Sequence, residues 1–306
     1  MKKIAVTTTG FAVYSKLPLD LLKKKGYGVV LNPYGRKLMP NELINIAKGA
    51  IGIIAGTENI TGKELKKMTG LKVISRCGTG LDSVDVKSAK KLGIKVFNTP
   101  DAPTDAVAEL TIGLMFALLR KIPIADREIR SKIWKKRMGS LICGKQVGIV
   151  GFGRIGRKVA GTLRAMGARV YFADPNITKK RIGSFSKVEF NRLLEKSDII
   201  SLHLSYSRGS GKLFGKKEIS RMKDGAFLIN CSRGGIVDER VLYKALKNGK
   251  LGGAAMDVFE EEPYCGPLRE LDNVVLTPHI GSYAVESRIQ MEKEAALNLI
   301  RGLKND

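Results

Sequence analysis

The chain has 306 residues, 43 % of them hydrophobic, enough for one large or two ordinary domains, and its four cysteines (Cys77, Cys143, Cys231, Cys265) form no CxxC pair, so neither a disulfide nor a metal framework is expected and the expected location is a reducing cytoplasm. The net charge of +25 raises nucleic acid as a partner, but the lysines are scattered through helix-like stretches (KKK at 23–25, KELKKM at 63–68, KSAKK at 87–91) and aromatic residues are only 6 %, which fits a solvated surface that steers small anions better than a specific nucleic-acid site. No apolar stretch approaches the roughly 20 residues of a membrane helix, so no membrane partner is expected, and MKKIAVTTTG reads as a first strand rather than a signal peptide.

Strand and helix patterns alternate along the chain. KKIAVTTT leads to LPLDLLKKKG, YGVVLN to NELINIAKG, AIGIIAG to GKELKKMTG, and LKVISRC to SVDVKSAKKLG; IKVFNT then precedes a long helix, DAVAELTIGLMFALLRKI. After a basic segment containing Trp134 a second series begins: KQVGIVG, the helix RIGRKVAGTLRAMG, then the strands RVYFAD, DIISLHL, AFLIN, AAMDV and NVVLTP. Short apolar strands alternating with helices predict an α/β protein with two doubly wound parallel sheets. The break falls near residue 99, where FNTPDAPTDA carries two prolines, and the helical tail SRIQMEKEAALNLIRGLK is placed to pack back on the first domain. The segment AELTIGLMFALL is apolar all round, as expected of either a homodimer face or a buried helix.

GFGRIG (151–156) fits GxGxxG, with a strand before it and a helix after it. Gly151 permits the tight turn, Gly153 lets the backbone approach a pyrophosphate, and Gly156 lets helix and strand pack closely. The helix N-terminus then presents N–H groups to the diphosphate. Asp174 closes the next strand, where a carboxylate accepts from both ribose hydroxyls and repels a 2′-phosphate; this predicts NAD rather than NADP as the cofactor. Only two histidines exist, His203 and His279. His279, in LTPHIGSY after the last strand, is a candidate general acid–base. MDVFEEEP places three carboxylates after another strand, and Arg233 follows AFLIN, with two glycines that leave its planar fork clear for a carboxylate. Pairing of Arg233 with Glu239 and capping of the strand by His279 are the alternatives.

GIVGFGRIG, INCSRGGIVDE, AAMDVFEEEP and LTPHIGSY, in this order, resemble the signature motifs of the D-2-hydroxyacid dehydrogenases, with the phosphoglycerate dehydrogenase-like enzymes as the nearest subgroup. VISRCGTGLDSVDV, FNTPDAPTDAVAELTIGLM and the Ile133–Trp134 pair extend the resemblance over the whole chain. It implies a flavodoxin-like substrate domain (1–98 plus 286–306) and a Rossmann NAD-binding domain (99–285), in a homodimer. It also implies roles. Arg233 binds the substrate carboxylate and polarises the C2 oxygen. His279 exchanges the C2 hydroxyl proton, and Glu262 orients the imidazole and favours its charged form. Asp257 holds the nicotinamide carboxamide, the amides of Arg154 and Ile155 meet the pyrophosphate, Thr104 and Cys231 line the cofactor, and the amides of Gly78, Thr79 and Gly80 grip the substrate carboxylate. Two departures stand out. Ser205 replaces a proline usual after HL. The loop AGTENIT (55–61), where phosphoglycerate dehydrogenases often carry arginine, has Glu58 instead, so a substrate phosphate would need Arg36 or Arg76. The implied activity is hydride transfer between NAD and C2 of a D-2-hydroxy or 2-keto acid, with 3-phosphoglycerate among the candidate substrates. The alternatives are a reductase of glyoxylate, hydroxypyruvate or another small 2-keto acid, and an NAD-sensing corepressor-like binding protein.

Overall fold

The computed structural model describes residues 1–204 and 211–304; Ser205 lies outside the described residues. The chain divides into two compact units, Met1–Pro103 with Ser282–Asp306, and Thr104–Gly281. The divisions fall a few residues from the expected 98/99 and 285/286, because α5 opens at Thr104 and the backbone of Gly281 is tied to Asp257 in the second unit.

In the first unit β1 (Lys3–Val6), α1 (Leu17–Lys23), β2 (Gly28–Leu31), α2 (Pro40–Ala47), β3 (Ala50–Ala55), α3 (Gly62–Leu65), β4 (Val73–Arg76), α4 (Val86–Lys91) and β5 (Lys95–Phe97) alternate. The five strands form a parallel sheet in the order β2-β1-β3-β4-β5, a flavodoxin-like arrangement. The last helix of the chain, taken up again below as α11 (Val285–Lys304), covers one face: Met291, Ala295, Leu299 and Ile300 pack with Ile4, Val6, Ile54 and Val73. Gly52 makes room for it, since a Cβ there would stand 3.0 Å from Leu299.

The second unit runs α5 (Thr104–Leu119), α6 (Ile122–Arg130), β6 (Gln146–Val150), α7 (Arg154–Ala165), β7 (Arg169–Ala173), β8 (Arg181–Ile182), β9 (Phe185–Lys187), α8 (Phe190–Lys196), β10 (Ile199–Leu202), α9 (Lys216–Arg221), β11 (Ala226–Asn230), α10 (Glu239–Lys247), β12 (Leu251–Met256) and β13 (Val274–Leu276); α11 then returns to the first unit. Its sheet has the order β13-β12-β11-β10-β6-β7-β9-β8, parallel except for the β8–β9 hairpin. The order reverses at β6, between β10 and β7, and ligands of open α/β sheets bind outside the strand carboxyl ends at such a point.

The long helix expected from DAVAELTIGLMFALLRKI (105–122) is α5, which stops at Leu119: Lys121 adopts φ +55°, and Pro123 in the first turn of α6 opens a separate helix, a position where its missing N–H costs nothing. And α5 is an internal helix. Val107, Ala108, Ile112, Leu114, Met115, Leu118 and Leu119 are buried in the core of their own unit, which is the buried-helix alternative. The apolar surface lies further on, in the extended run after α6, where Trp134, Met138 and Leu141 are 84 %, 87 % and 67 % exposed.

Candidate active site

The dinucleotide motif joins β6 to α7, and each glycine meets a different demand. Gly151 has φ +90°, and a Cβ on it would stand 2.4 Å from the His203 carbonyl at the end of β10. A Cβ on Gly156 would stand 2.2 Å from the Gly151 carbonyl oxygen, so helix and turn close only with glycine there. A Cβ on Gly153 would meet no other part of the fold within 4 Å among the described residues. Packing within the protein therefore does not require glycine at this position, and the space is open to a ligand. Phe152 anchors the loop: its ring is fully buried and stacks on Phe172 of β7 at 4.0 Å. Burying such a side chain is worth about 1.5–3 kcal/mol.

The residues present fit NAD. Gly153 is the N-cap of α7 and no side chain caps the helix, which leaves the first-turn amides of Arg154 and Ile155 to face an anion. Asp174 follows β7; one carboxylate oxygen accepts the Phe152 amide (2.8 Å) and the other the Asn176 amide (2.9 Å), so the acid is fixed beside the glycine turn. Thr104 Oγ1 is buried without a hydrogen-bond partner among the described residues, an orphan that a bound polar group would satisfy. Cys231 is 8 % exposed, and burial pushes its thiol up to about 12, opposed by a hydrogen bond from Thr111; it is a neutral wall, not a nucleophile.

The three residues expected to act on substrate follow the carboxyl ends of β11, β12 and β13. Arg233 is half-buried, and its Nη1 donates to the Ser232 carbonyl (2.8 Å). The loop is shaped by Asn230, whose Oδ1 accepts the Ser232 amide and hydroxyl and whose Nδ2 donates to the Arg233 carbonyl. The two glycines after Arg233 do something other than clear its fork. A Cβ on Gly234 would lie 1.7 Å from the Phe259 carbonyl oxygen, and Gly235 has φ +79°. Gly234 is there because the backbone of the Arg233 loop rests directly on the turn that carries Glu262. Glu239 accepts the Glu260 amide (2.7 Å).

His279 sits at φ +56°, with its Nδ1 3.0 and 3.1 Å from the two Glu262 carboxylate oxygens. With Nδ1 held by the acid, Nε2 is the nitrogen left for proton exchange. The unusual backbone is enforced by Asp257. This residue is 1 % exposed and accepts from Thr277 Oγ1 (2.6 Å) and from the amides of Ile280 (2.8 Å) and Gly281 (2.8 Å). Burial raises its carboxyl above the ordinary range, against the opposing effect of those bonds. Sequence reasoning missed this role, in which the acid clamps the loop on both sides of His279. The other histidine, His203, bonds Ser201 through Nε2 (2.9 Å), and burial lowers it to about 4, so it is neutral at pH 7.

In the first unit the Gly78 amide donates to Thr99 Oγ1 (2.7 Å). It is therefore already engaged, against the expectation that all three amides of residues 78–80 meet a substrate carboxylate. Gly78 has φ +137°, with the Arg76 guanidinium packed on its Cα, and Arg76 donates to the Cys77 carbonyl. Arg36 is held bidentately by Glu42 (2.7 and 2.9 Å). Glu58, 2 % exposed, accepts the Gly56 amide and the Thr7 hydroxyl, so the position where an arginine was sought holds a buried loop staple.

This geometry is that of a dinucleotide-binding Rossmann unit with an acid–histidine pair at its strand ends. Residues 112–281 match the model of the D-isomer specific 2-hydroxyacid dehydrogenase family, NAD binding domain, and the chain belongs to that family. It is 36 % identical over 299 residues to D-3-phosphoglycerate dehydrogenase of Archaeoglobus fulgidus, covering 94 % of this chain and 56 % of the relative. To glyoxylate reductase of Thermococcus litoralis it is 41 % identical over 263 residues, 82 % of this chain and 79 % of that one. Among solved structures, the TT0316 protein from Thermus thermophilus matches with a TM-score of 0.92 at 34 % identity, covering 99 % of this chain and 97 % of that one. The chain spans about half the length of the curated phosphoglycerate dehydrogenases it matches.

Proposed function

We propose that the chain is an NAD-dependent oxidoreductase that interconverts a D-2-hydroxy acid and its 2-keto acid, working in the cytoplasm. The observation that carries this reading is the His279–Glu262 pair at 3.0 Å, on the same strand-end row as Arg233 and the glycine turn. Bound NAD supplies or accepts the hydride. Arg233 binds the substrate carboxylate through its planar fork and draws electron density from the C2 oxygen. His279 Nε2 gives a proton to that oxygen during reduction and removes it during oxidation. Glu262 holds the ring by Nδ1 and stabilises the imidazolium between the two steps. Asp174 accepts the ribose hydroxyls, and Asp257 adds the carboxamide to the partners it already holds.

A small unphosphorylated 2-keto acid suits the chain best. The two cations sought for a phosphate are engaged, Arg36 with Glu42 and Arg76 with the Cys77 carbonyl, and Glu58 is buried. The glyoxylate reductase relative supports that choice. The surface positive charge draws anionic substrate inward. A homodimer of the second unit is supported by the exposed run of Trp134, Met138 and Leu141, a patch that a second copy would cover. The test is a panel of initial rates with NADH and NADPH against glyoxylate, hydroxypyruvate, pyruvate and 3-phosphohydroxypyruvate. Turnover of at least one with NADH is expected; none with either cofactor refutes the reading.

A further inference from the structure

We infer that Glu239 is a positioning residue for the Glu262–His279 pair, an inference that rests on the function proposed above. Glu239 opens α10, where Asp238 is the N-cap and accepts the Arg240 and Val241 amides (3.1 and 3.2 Å). An acid in a first helical turn usually serves its own helix or faces water. Glu239 instead reaches 21 residues along the chain to accept the Glu260 amide at 2.7 Å. Burial raises its carboxyl above the ordinary range.

The target is the turn that carries Glu262. Phe259 donates its amide to Glu262 Oε1 (3.2 Å), closing a four-residue turn with Glu260 and Glu261 between its ends. Lys212 Nζ holds the Glu260 carboxylate (3.1 Å) and lies 3.6 Å from Asp238. Gly234, next to Arg233, seats on the Phe259 carbonyl. The turn is thus gripped at Phe259 by the Arg233 loop and at Glu260 by Glu239 and Lys212. Glu262 is 40 % and His279 46 % exposed, so burial by itself does little to fix their contact. The grip on the turn sets where the carboxylate stands. Glu239 touches none of the reacting groups and acts through Glu262.

The experiment combines two readouts on the full chain. The first is a double-mutant cycle of Glu239→Ala and Glu262→Gln, with kcat and KM for the best 2-keto acid and the NADH dissociation constant. Glu239→Ala is expected to lower kcat about 10- to 100-fold, the scale of a displaced catalytic group, with KM and NADH affinity within about twofold. Glu239→Gln keeps an acceptor for the amide and is expected to restore most of the rate. In the double variant the second change is expected to add little, because both act on one contact. The second readout needs no turnover: the chain has two histidines, so long-range ¹H–¹⁵N spectra of the imidazoles separate His279 from His203. Glu239→Ala should shift the His279 signals in the direction that Glu262→Gln does and leave His203 in place. Should the alanine variant fold poorly, Lys212→Ala, which loosens the same turn from its exposed side, should give the same spectral shift and a smaller, non-additive loss of kcat. Unchanged His279 signals in the folded variants, or losses that multiply in the cycle, overturn the inference. Failure of the wild-type chain to reduce any 2-keto acid would instead count against the proposed function, and the spectra would still decide the role of Glu239.

Discussion

Gly153→Ala separates cofactor binding from folding. At Gly153 the backbone has φ −76° and ψ −156°, which alanine adopts, and an added Cβ meets nothing within 4 Å. The fold should therefore tolerate the change: loss of unfolded-state freedom favours the variant by about 0.4–1 kcal/mol, and alanine's poor N-cap preference offsets this. The diphosphate should not tolerate it. A methyl group placed where a ligand packs against backbone costs about 1–3 kcal/mol, which is roughly 5- to 150-fold in the NADH dissociation constant. Gly156→Ala is the control, since its Cβ would stand 2.2 Å from the Gly151 carbonyl oxygen and 3.2 Å from Ile149, so both melting temperature and affinity should fall. Fluorescence titration with NADH and thermal unfolding of the three proteins make the comparison. If Gly153→Ala binds NADH as the wild type does, the diphosphate does not cross the glycine turn, and the placement of the cofactor is wrong.

Asp174→Ala should weaken NADH strongly and NADPH little or not at all; a wild-type preference for NADPH of about tenfold in kcat/KM would reject the assignment. His279→Ala should lower kcat by about 10²–10⁴ while NADH still binds. Glu262→Gln should lower kcat without abolishing turnover and move the pH optimum of reduction to lower pH, because the carboxylate that favours the imidazolium is gone. His203 carries the folding prediction: lowered by burial from the ordinary 6.5 to about 4, it takes up its proton first in the unfolded chain, so its contribution of about 3 kcal/mol is intact above pH 6.5 and is lost as the pH falls toward 4. Urea unfolding of His203→Asn at pH 7 and at pH 4.5 should show a shallower fall than the wild type. Light scattering should show a dimer that Trp134→Glu with Met138→Glu turns into a monomer; a wild-type monomer at micromolar concentration contradicts this. Binding to DNA should be weak and collapse with salt, and tight binding to one sequence at about 0.15 M salt would favour the corepressor reading.

The parts of the site that depend on strand ends were legible in the sequence, because a short apolar run fixes where a strand stops and which residues follow it. That is how Gly151, Asp174, Arg233 and His279 were singled out, whereas Glu262 was chosen among the three acids of MDVFEEEP only by the family resemblance. What could not be read depends on contacts between segments far apart in the chain. Gly234 is required by the Phe259 carbonyl, Gly78 donates to Thr99, and Asp257 reaches forward to Gly281; no local pattern carries these pairings. The β8–β9 hairpin is too short for periodicity to register, and the positive φ of Lys121 between α5 and α6 has no local signature. The apolarity of α5 was readable, but what it packs on was not, and the exposed run around Trp134 shows only when solvent exposure is known.

If a hydride passes between NAD and C2 of a 2-keto acid, with the proton supplied at His279, an isotopic label on the cofactor ends on the product. Reduction of the best substrate with NADH carrying deuterium at the transferred C4 position, followed by NMR and chiral analysis of the product, tests it most directly. The account predicts one deuterium on C2 of the D-2-hydroxy acid, formed by the wild type and at most at about a hundredth of that rate by His279→Ala. A product with no deuterium at C2, or of L configuration, would contradict it.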